Sequence, residues 1–513
     1  MHRKVRVTSS LQAEPLAAQP GGKPDTDFKE VRPRRGRLLT SRSKRRSLAE
    51  QNLMNIQKAA NQWRKANLIL LGLASTLAGC GGNDSPVVFF SRPFTASTIN
   101  LGQSVKLVWA SKNVSTCTAS ASTATAGAFS GAEPTSGVRN VAPTAPGSVT
   151  YTLSCTGPGG SASATTAAII VNPSILSTLT RRTTIGSTMD PTEHGGNPYG
   201  LAIAPITAGL ITAGDLIACN FNDGATNTQG LGTTLIGLHP VAGASPYRIA
   251  QSSQLQGCSA LSMFSDDSIS ASAFSANLNP LVAANGAVNN PFAANTLHGP
   301  WSQAYAMPYF GRPALYVSNQ LNGAIDRITL NGDNETSFTE IAIGFCGSGV
   351  PGAVFAPAGL TYDATNDTLY IVDTSSYSVV AFANVSSIGA DGVIVNGNCS
   401  GTTHTPTPAL TFSGASASAA RVIASGGQLN APISAALLMD GDLVVANADI
   451  DAPSTPNLLF EISPALGFVG APVQLDTGAP GALFGLAATV DSSGNQLIYF
   501  NDDNDNTVKL LSK

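Results

Sequence analysis

A run of six consecutive carboxylate and amide side chains, Asn501-Asp502-Asp503-Asn504-Asp505-Asn506, lies close to the C-terminus. Hard cations such as calcium take oxygen ligands of this kind. The run lacks the EF-hand spacing with its glycine and its terminal glutamate, so a solvated turn is the interpretation that we favour over a calcium site.

Two histidines lie in front of similar turns, His194 in residues 193–198 and His298 in residues 297–300, and each is followed by Gly and then Pro within a few positions. Other chemistry is hard to find. The sequence contains no Gly-x-Ser-x-Gly elbow, no P-loop, no Cys-x-x-Cys pair and no Cys-x-x-Cys-His haem attachment. Histidines beside Gly-Pro are also common as ordinary loop residues.

The elements that must position these side chains belong to an internal repeat. Five segments read as Leu, three mostly apolar residues, then Asn or Asp: 216–220, 315–319, 369–373, 443–447 and 497–501. An apolar strand precedes and follows each segment, and in four copies a proline stands one residue before the first strand: Pro198, Pro300, Pro357 and Pro432. Each unit is therefore a β-meander. A meander cannot bury its faces alone, and radial stacking of several meanders gives a β-propeller.

The order Pro-x-Gly-Leu, Leu-Tyr-Ile-Val-Asp and Val-Val-x-Phe across residues 357–382 resembles the NHL-type β-propeller repeat. We count five blades in residues 176–513, or six if 241–297 or 383–428 contains a further, degenerate copy. Residues 179–184 are expected to supply the fourth strand of the last blade and to close the ring. A second sandwich or a β-helix is the alternative.

In a propeller of this kind, the loops that leave the second strand and the loops that enter the first strand open on one face around the central channel. The repeat register places on that face Asn220, Asn319, Asp373, Asn447 and Asn501, as well as His194 and His298 in front of two adjacent blades. Some NHL-type propellers are lyases that hold a metal with histidines, so the resemblance implies zinc at His194 and His298 as an alternative to no cofactor. Such sites usually need three ligands, and His239 and His404 do not share the register. Strand capping and Asx-turns are the other interpretation of the Asn and Asp residues.

Residues 86–172 read as a smaller β-domain. Strand-like segments alternate with turn residues, as in Leu101-Gly102-Gln103 between two apolar stretches. The strand that ends in Trp109 and the segment Tyr151-Thr152-Leu153-Ser154-Cys155 resemble bacterial Ig-like modules. Because Trp109 precedes Cys117 instead of lying between the two cysteines, we expect the bridge to join neighbouring strands of one sheet. The expected role is a spacer.

Seven cysteines become an even set once Cys80 is assigned to a lipid. Sequential pairing is our prediction among the 15 connectivities of six cysteines: Cys117 with Cys155, Cys219 with Cys258, and Cys346 with Cys399. Such bridges persist in an oxidising compartment, and free buried thiols are the alternative.

The N-terminal region contains a predicted targeting signal. A basic pair, the apolar run 67–74 and Leu77-Ala78-Gly79-Cys80 resemble the lipobox of bacterial lipoproteins, so 54–79 is expected to be a signal peptide and 80–85 a tether. The basic residues 1–53 are read as a disordered extension or as sequence before the true start at Met54, and a nucleic-acid patch is the alternative. Gly81 after the cysteine suggests the outer membrane by the same resemblance.

Charge is unevenly distributed. Residues 1–65 carry 16 of the 28 basic and 5 of the 31 acidic side chains, so the remainder has a net charge of −14. An acidic surface disfavours nucleic acid as a partner. The sequence predicts an all-β protein, an Ig-like sandwich followed by a propeller, anchored by lipid in the bacterial cell envelope. It would bind an unidentified protein or small-molecule ligand, and a metal-assisted lyase or hydrolase at the channel mouth is the alternative.

Overall fold

The computed structural model describes residues 85–93, 97–290, 292, 297–307, 313–331, 334–348, 355–396, 410–427, 429–449 and 453–513. The predicted extension 1–53, the predicted signal peptide 54–79 and Cys80, the predicted lipidation site, lie outside the described residues. Among the described residues, no helix has the length and hydropathy that a membrane span requires.

Ten strands between residues 87 and 172 enclose one hydrophobic core, and we call this part the N-terminal β-domain. The strands are β1 (Val87–Arg92), β2 (Ser97–Asn100), β3 (Val105–Lys112), β4 (Thr116–Ala121), β5 (Gly131–Glu133), β6 (Gly137–Val141), β7 (Gly147–Val149), β8 (Tyr151–Gly157), β9 (Gly160–Thr165) and β10 (Ile169–Asn172). They form sheets of order β1-β3-β6, β2-β10-β7 and β5-β4-β8-β9. Burial alternates along β8, which places Tyr151, Leu153 and Cys155 in the core beside Trp109.

The first disulfide confirms the prediction for this domain. Cys117 in β4 and Cys155 in β8 are directly opposite in the antiparallel register and are bonded to each other. The bridge therefore joins neighbouring strands of one sheet, as the early position of Trp109 predicts.

A short helix and the remaining strands follow. They are α1 (Ile175–Thr178), β11 (Arg181–Ser187), β12 (Gly196–Ile203), β13 (Leu216–Asn222), β14 (Thr234–Leu238), β15 (Tyr247–Gln251), β16 (Cys258–Met263), β17 (Ile269–Ala273), β18 (Leu281–Val282), β19 (Val288–Asn289), β20 (Pro300–Ala306), β21 (Ala314–Asn319), β22 (Ala324–Asn331), β23 (Asn334–Ile343), β24 (Pro357–Asp363), β25 (Thr368–Asp373), β26 (Ser378–Ala383), β27 (Val393–Asn396), β28 (Thr411–Ser413), β29 (Ala420–Ser425), β30 (Pro432–Leu437), β31 (Leu443–Asn447), β32 (Leu458–Ser463), β33 (Gly467–Gln474), β34 (Leu486–Val490), β35 (Gln496–Asp502) and β36 (Thr507–Ser512). Single turns of 3₁₀-helix lie at Ser253–Leu255, Val385–Ser387 and Ala417–Ala419.

These strands form six sheets, which we letter A to F in chain order. Sheet A is β12-β13-β14-β15, B is β16-β17-β18-β19, C is β20-β21-β22-β23 with β27 and β28 added at its edge, D is β24-β25-β26-β29, E is β30-β31-β32-β33, and F is β34-β35-β36-β11. The first strands of successive sheets contact each other from A to F, and β34 of sheet F contacts β12 of sheet A. This closed cycle of meanders is a β-propeller.

Closure of the ring occurs as predicted. Strand β11, which includes the predicted residues 181–184, pairs antiparallel with β36 at the C-terminus, so Arg182 lies opposite Leu511. All five predicted second strands are also present, in β13, β21, β25, β31 and β35.

Sheet B lies within 241–297, one of the two segments named above for a further, degenerate copy, and it does not show the repeat pattern. Its second strand β17 reads Ile-Ser-Ala-Ser-Ala instead of Leu, three apolar residues and Asn. Gln303 of the neighbouring sheet C bonds to part of this region: Ser270 Oγ donates to Gln303 Oε1 over 3.0 Å, and Asn279 Nδ2, beyond the strand, donates to the same oxygen over 2.7 Å. The neighbouring sheet therefore supplies hydrogen bonds to the buried polar residue Ser270. The segment 383–428 instead adds β27 and β28 to sheet C and β29 to sheet D.

The second disulfide, Cys219–Cys258, confirms the predicted pair and links β13 of sheet A to β16 of sheet B. Cys346 is also disulfide-bonded, and its predicted partner Cys399 lies outside the described residues. Disulfides of this kind indicate an oxidising, extracytoplasmic environment.

Candidate functional site

The six inner strands surround a small axial cavity. Its volume is about 80 Å³, well below the roughly 300–1,000 Å³ of typical ligand sites. The strands are close because a glycine follows the first residues of several of them: a Cβ on Gly359 would lie 2.8 Å from the carbonyl oxygen of Ile433 in the next sheet. The axis of the ring is therefore packed and offers no room for a substrate.

Aromatic side chains occupy the end of the axis at which the inner strands begin. The ring of Tyr199 stacks on Phe484 at 3.8 Å and on Phe221 at 4.3 Å, and Trp301 packs edge-on against Tyr199 at 5.8 Å. Tyr199 and Trp301 are buried, and burial raises the pKa of the Tyr199 hydroxyl. The predicted channel mouth is thus filled by residues that directly follow Pro198 and Pro300.

The two candidate metal-binding histidines lie in loops of sheets A and C, and sheet B separates these sheets. Both side chains are exposed. The His194 backbone N–H donates to Asp190 O, and the His298 backbone N–H donates to Asn319 Oδ1, over 2.9 Å in each case. Neither histidine belongs to a metal-sized group of His, Cys, Asp and Glu among the described residues.

The five channel-face candidates are buried at the ends of their second strands, each at most 1% exposed: Asn220, Asn319, Asp373, Asn447 and Asn501. Most of their contacts are structural. Asn501 Nδ2 donates to Gly200 O over 3.1 Å, and Asn220 Nδ2 donates to Thr234 Oγ1 over 3.1 Å. Burial raises the pKa of Asp373, although the hydroxyls of Ser375 and Ser376 donate to its carboxylate. These side chains tie the strand ends to neighbouring loops.

The acidic run near the C-terminus already holds a cation. The ammonium group of Lys509 lies 2.6 Å from Asp502 Oδ2 and 2.7 Å from Asp505 Oδ2. Burial raises the pKa of Asp502, and the Lys509 ammonium opposes that shift. Lys509 therefore occupies the position that a calcium ion would need in this run.

A cleft of about 440 Å³ opens between sheets D and E, on the face predicted from the repeat register. Its lining comes from the loop after β25, the segments on either side of β31 and the residues around β29 and β30: Tyr377, Gly426, Gly427, Leu429, Asn430, Asn447, Pro453, Ser454, Thr455 and Leu458. The volume is in the range of ligand sites. Of the five channel-face candidates, Asn447 alone lines it, and its Oδ1 accepts from the Asn430 N–H over 3.1 Å.

The described lining of this cleft contains amides, hydroxyls and apolar groups but no carboxylate, imidazole, thiol or amine. Such a surface can hydrogen-bond an uncharged ligand and pack against its apolar parts. Sequence reasoning missed the other nine lining residues because none belongs to a recognised motif. The paired glycines Gly426 and Gly427, both with φ near +65°, are the local signal of a tight turn at its edge.

No family model and no curated protein matches the sequence. Several solved structures are similar at low identity. A catalytically inactive virginiamycin B lyase from Staphylococcus aureus with quinupristin is 12% identical, covering 72% of this chain and 92% of that chain with a TM-score of 0.38. A protein of unknown function from Bacteroides thetaiotaomicron is 12% identical, with coverage of 85% and 100% and a TM-score of 0.40. The calcium-binding protein regucalcin from Agrobacterium tumefaciens is also 12% identical, covering 64% of this chain and 93% of that chain with a TM-score of 0.40. Similarity at this level carries no argument about activity.

Proposed function

We propose that the chain is a lipid-anchored cell-envelope protein that binds an uncharged ligand, or an uncharged segment of a partner protein, in the cleft between sheets D and E. The observation that carries the proposal is the cleft itself, about 440 Å³ in volume and lined by neutral polar and apolar residues. The six sheets act as a six-bladed scaffold for these loops, and the N-terminal β-domain acts as an Ig-like spacer.

Binding is favoured over catalysis by the distribution of ionisable groups. The histidines that a metal-assisted lyase would use are exposed and belong to sheets that are not neighbours. The described lining residues of the cleft include no carboxylate, imidazole, thiol or amine, and Tyr377 supplies a phenol. The acidic net charge of the chain beyond residue 65 argues against nucleic acid as the ligand.

The anchoring part of the proposal rests on Cys80 and the lipobox-like residues before it. Expression of the full-length chain in a Gram-negative host should give a membrane-associated product whose mass includes the lipid on Cys80. The Cys80→Ser variant should move to the soluble envelope fraction. An unmodified wild-type polypeptide in the cytosol would contradict both the anchor and the compartment.

The hypothesis of ligand binding is tested by a substitution that fills the cleft. Thr455 is exposed at its rim, so Thr455→Trp should fill the space without disturbing the core. We expect members of a panel of neutral disaccharides and uncharged tripeptides to show saturation-transfer NMR signals with the wild-type protein that disappear with Thr455→Trp. Ser492→Trp, at an exposed position in the turn between β34 and β35, is the matched control and should keep the signals. Signals that persist in Thr455→Trp, or a panel that is silent with the wild type, would count against the cleft.

A further inference from the structure

Three carboxylates, Asp440, Asp442 and Glu461, meet where the N-terminal β-domain contacts sheet E, and we call them the junction acidic group. Asp440 and Asp442 lie between β30 and β31, and Glu461 lies in β32. One oxygen of each carboxylate lies within 4.8 Å of the other two. Asp442 is 3% exposed, Glu461 is 2% exposed and Asp440 is half-buried. Three acidic side chains are therefore concentrated in a largely dry position.

One oxygen of this group has no partner. Asp442 Oδ2 is buried and accepts no hydrogen bond from the described residues. The nearby hydroxyl of Ser463 donates to Gly102 O over 2.7 Å, and a hydroxyl has only one proton to donate. No Lys, Arg or His of the described chain forms an ion pair with any of the three carboxylates. A buried carboxylate in this state requires either a proton or a cation.

The other two carboxylates accept hydrogen bonds from several donors, among them the Asp442 N–H to Asp440 Oδ1 over 3.2 Å and the Leu176 N–H to Glu461 Oε2. Asn100 Nδ2 donates to Asp440 Oδ2 over 3.0 Å, and Gln103 Nε2 donates to Asp440 O over 3.2 Å. The N–H of Ile175 in α1 donates to Glu461 Oε1 over 3.1 Å. The N-terminal β-domain and the linking helix thus fix the two outer carboxylates, while Asp442 between them is left with a free oxygen.

We propose that the junction acidic group binds one calcium ion, which holds the N-terminal β-domain against sheet E. Calcium prefers carboxylate oxygens and binds them at 2.3–2.6 Å, so oxygens within 4.8 Å of each other are close enough to share one ion. Glu461 also contributes to the lining of a cavity of about 230 Å³ beside Phe460 and Phe468. The site lies apart from the cleft and does not depend on its function.

Protonation of the carboxylates is the alternative to calcium binding. In the absence of a cation, burial and the neighbouring carboxylates raise the pKa of Asp442 to about 8, and burial raises that of Glu461 to about 7. Two bound protons would relieve the repulsion without any ion. The experiment must therefore distinguish calcium binding from simple protonation.

Calorimetric titration of CaCl₂ into the full-length chain, purified with EDTA and dialysed to pH 7.5, decides whether a site exists. We expect one ion per chain with a dissociation constant on the order of 10⁻⁴ M, as in extracellular calcium modules. Thermal unfolding should shift upward with calcium relative to EDTA, because the ion binds only the folded state. Absence of binding at millimolar calcium would overturn the proposal in favour of protonated carboxylates.

Substitutions in the junction acidic group test where the calcium ion binds. Asp442→Asn and Glu461→Gln should each lower the affinity by about 100-fold or more, since each removes one charged ligand. Near-UV circular dichroism in EDTA shows whether they fold. Asp326→Asn removes a buried carboxylate with an unpartnered oxygen elsewhere in the ring, and His194→Ala and His298→Ala remove the histidines, so all three should bind calcium normally. Binding that survives in both junction variants, or that is lost in Asp505→Asn, would place the ion elsewhere and contradict the proposal.

Discussion

At the scale of single residues, burial raises the pKa values of several carboxyl groups of this protein. Asp326 in β22 is 1% exposed, its Oδ2 accepts from Asn319 Nδ2, and its Oδ1 has no partner among the described residues. Burial raises the pKa of Asp326 to about 8, and Glu340, directly opposite in β23, adds to the shift. Asp326 is therefore protonated in the folded protein at pH 7, whereas it is ionised in the unfolded chain.

This shift predicts a pH dependence of stability. Because the folded pKa lies above the unfolded value, the folded state binds the extra proton, and its stabilising contribution is lost as the pH rises toward and through about 8. Asp326→Asn mimics the protonated acid. We expect the variant to gain about 2–4 kcal/mol of unfolding free energy relative to the wild type between pH 5 and pH 9, as measured by urea denaturation.

The half-buried Asp491 provides the control for this measurement. Hydrogen bonds from Asn495 lower its pKa, so it stays ionised throughout that range in both states. Asp491→Asn should therefore leave the slope of stability against pH unchanged. Parallel wild-type and Asp326→Asn profiles would show that Asp326 is ionised in the folded state.

At the scale of elements, the inner strands need glycine because neighbouring backbones approach closely. A Cβ on Gly359 of β24 would lie 2.8 Å from both Ile433 O and Ser434 Cα of β30, and a Cβ on Gly485 would lie 2.7 Å from Tyr199 O. Backbone atoms cannot rotate away from such a contact as the end of a side chain can. Gly359 and Gly485 therefore permit the close approach of neighbouring blades.

Gly359→Ala is expected to destabilise the protein by about 1–3 kcal/mol, the usual cost of overpacking, as a lower midpoint in urea. Gly389→Ala is the matched control, because no atom lies within 4 Å of the added methyl group. Equal midpoints for the two variants would mean that the inner strands separate at little cost.

At the scale of the whole molecule, the N-terminal β-domain and the propeller share buried residues. Leu176 of α1 is fully buried among residues of sheets E and F, and Val469 of β33 belongs to the core of the N-terminal β-domain. Ser463 Oγ donates across the junction to Gly102 O. These contacts predict that the two domains are thermodynamically coupled, in contrast to a freely hinged spacer.

Leu176→Ala tests this coupling. We expect a loss of about 2–4 kcal/mol from the buried methyl groups and the cavity left behind. Hydrogen exchange followed by mass spectrometry should show reduced protection in peptides of β8 and of β31 together. Ile170→Ala, at a position 41% exposed, should change stability by less than about 0.5 kcal/mol. Faster exchange in only one of the two domains would contradict coupling.

The residue pattern alone determined the β class, the five Leu-to-Asn strands, the closing strand β11 and two disulfide pairs, because strand alternation, turn residues and cysteine order are local properties. Tertiary structure decided the rest. Sheet B lacks the repeat pattern, and Gln303 of another sheet supplies hydrogen bonds to Ser270 in its polar second strand. The predicted channel mouth is filled by Tyr199, Phe484 and Trp301, while the cleft and the junction acidic group bring together loops that are distant in sequence. These contacts between distant loops depend on which sheets become neighbours, and a local sequence pattern does not contain that information.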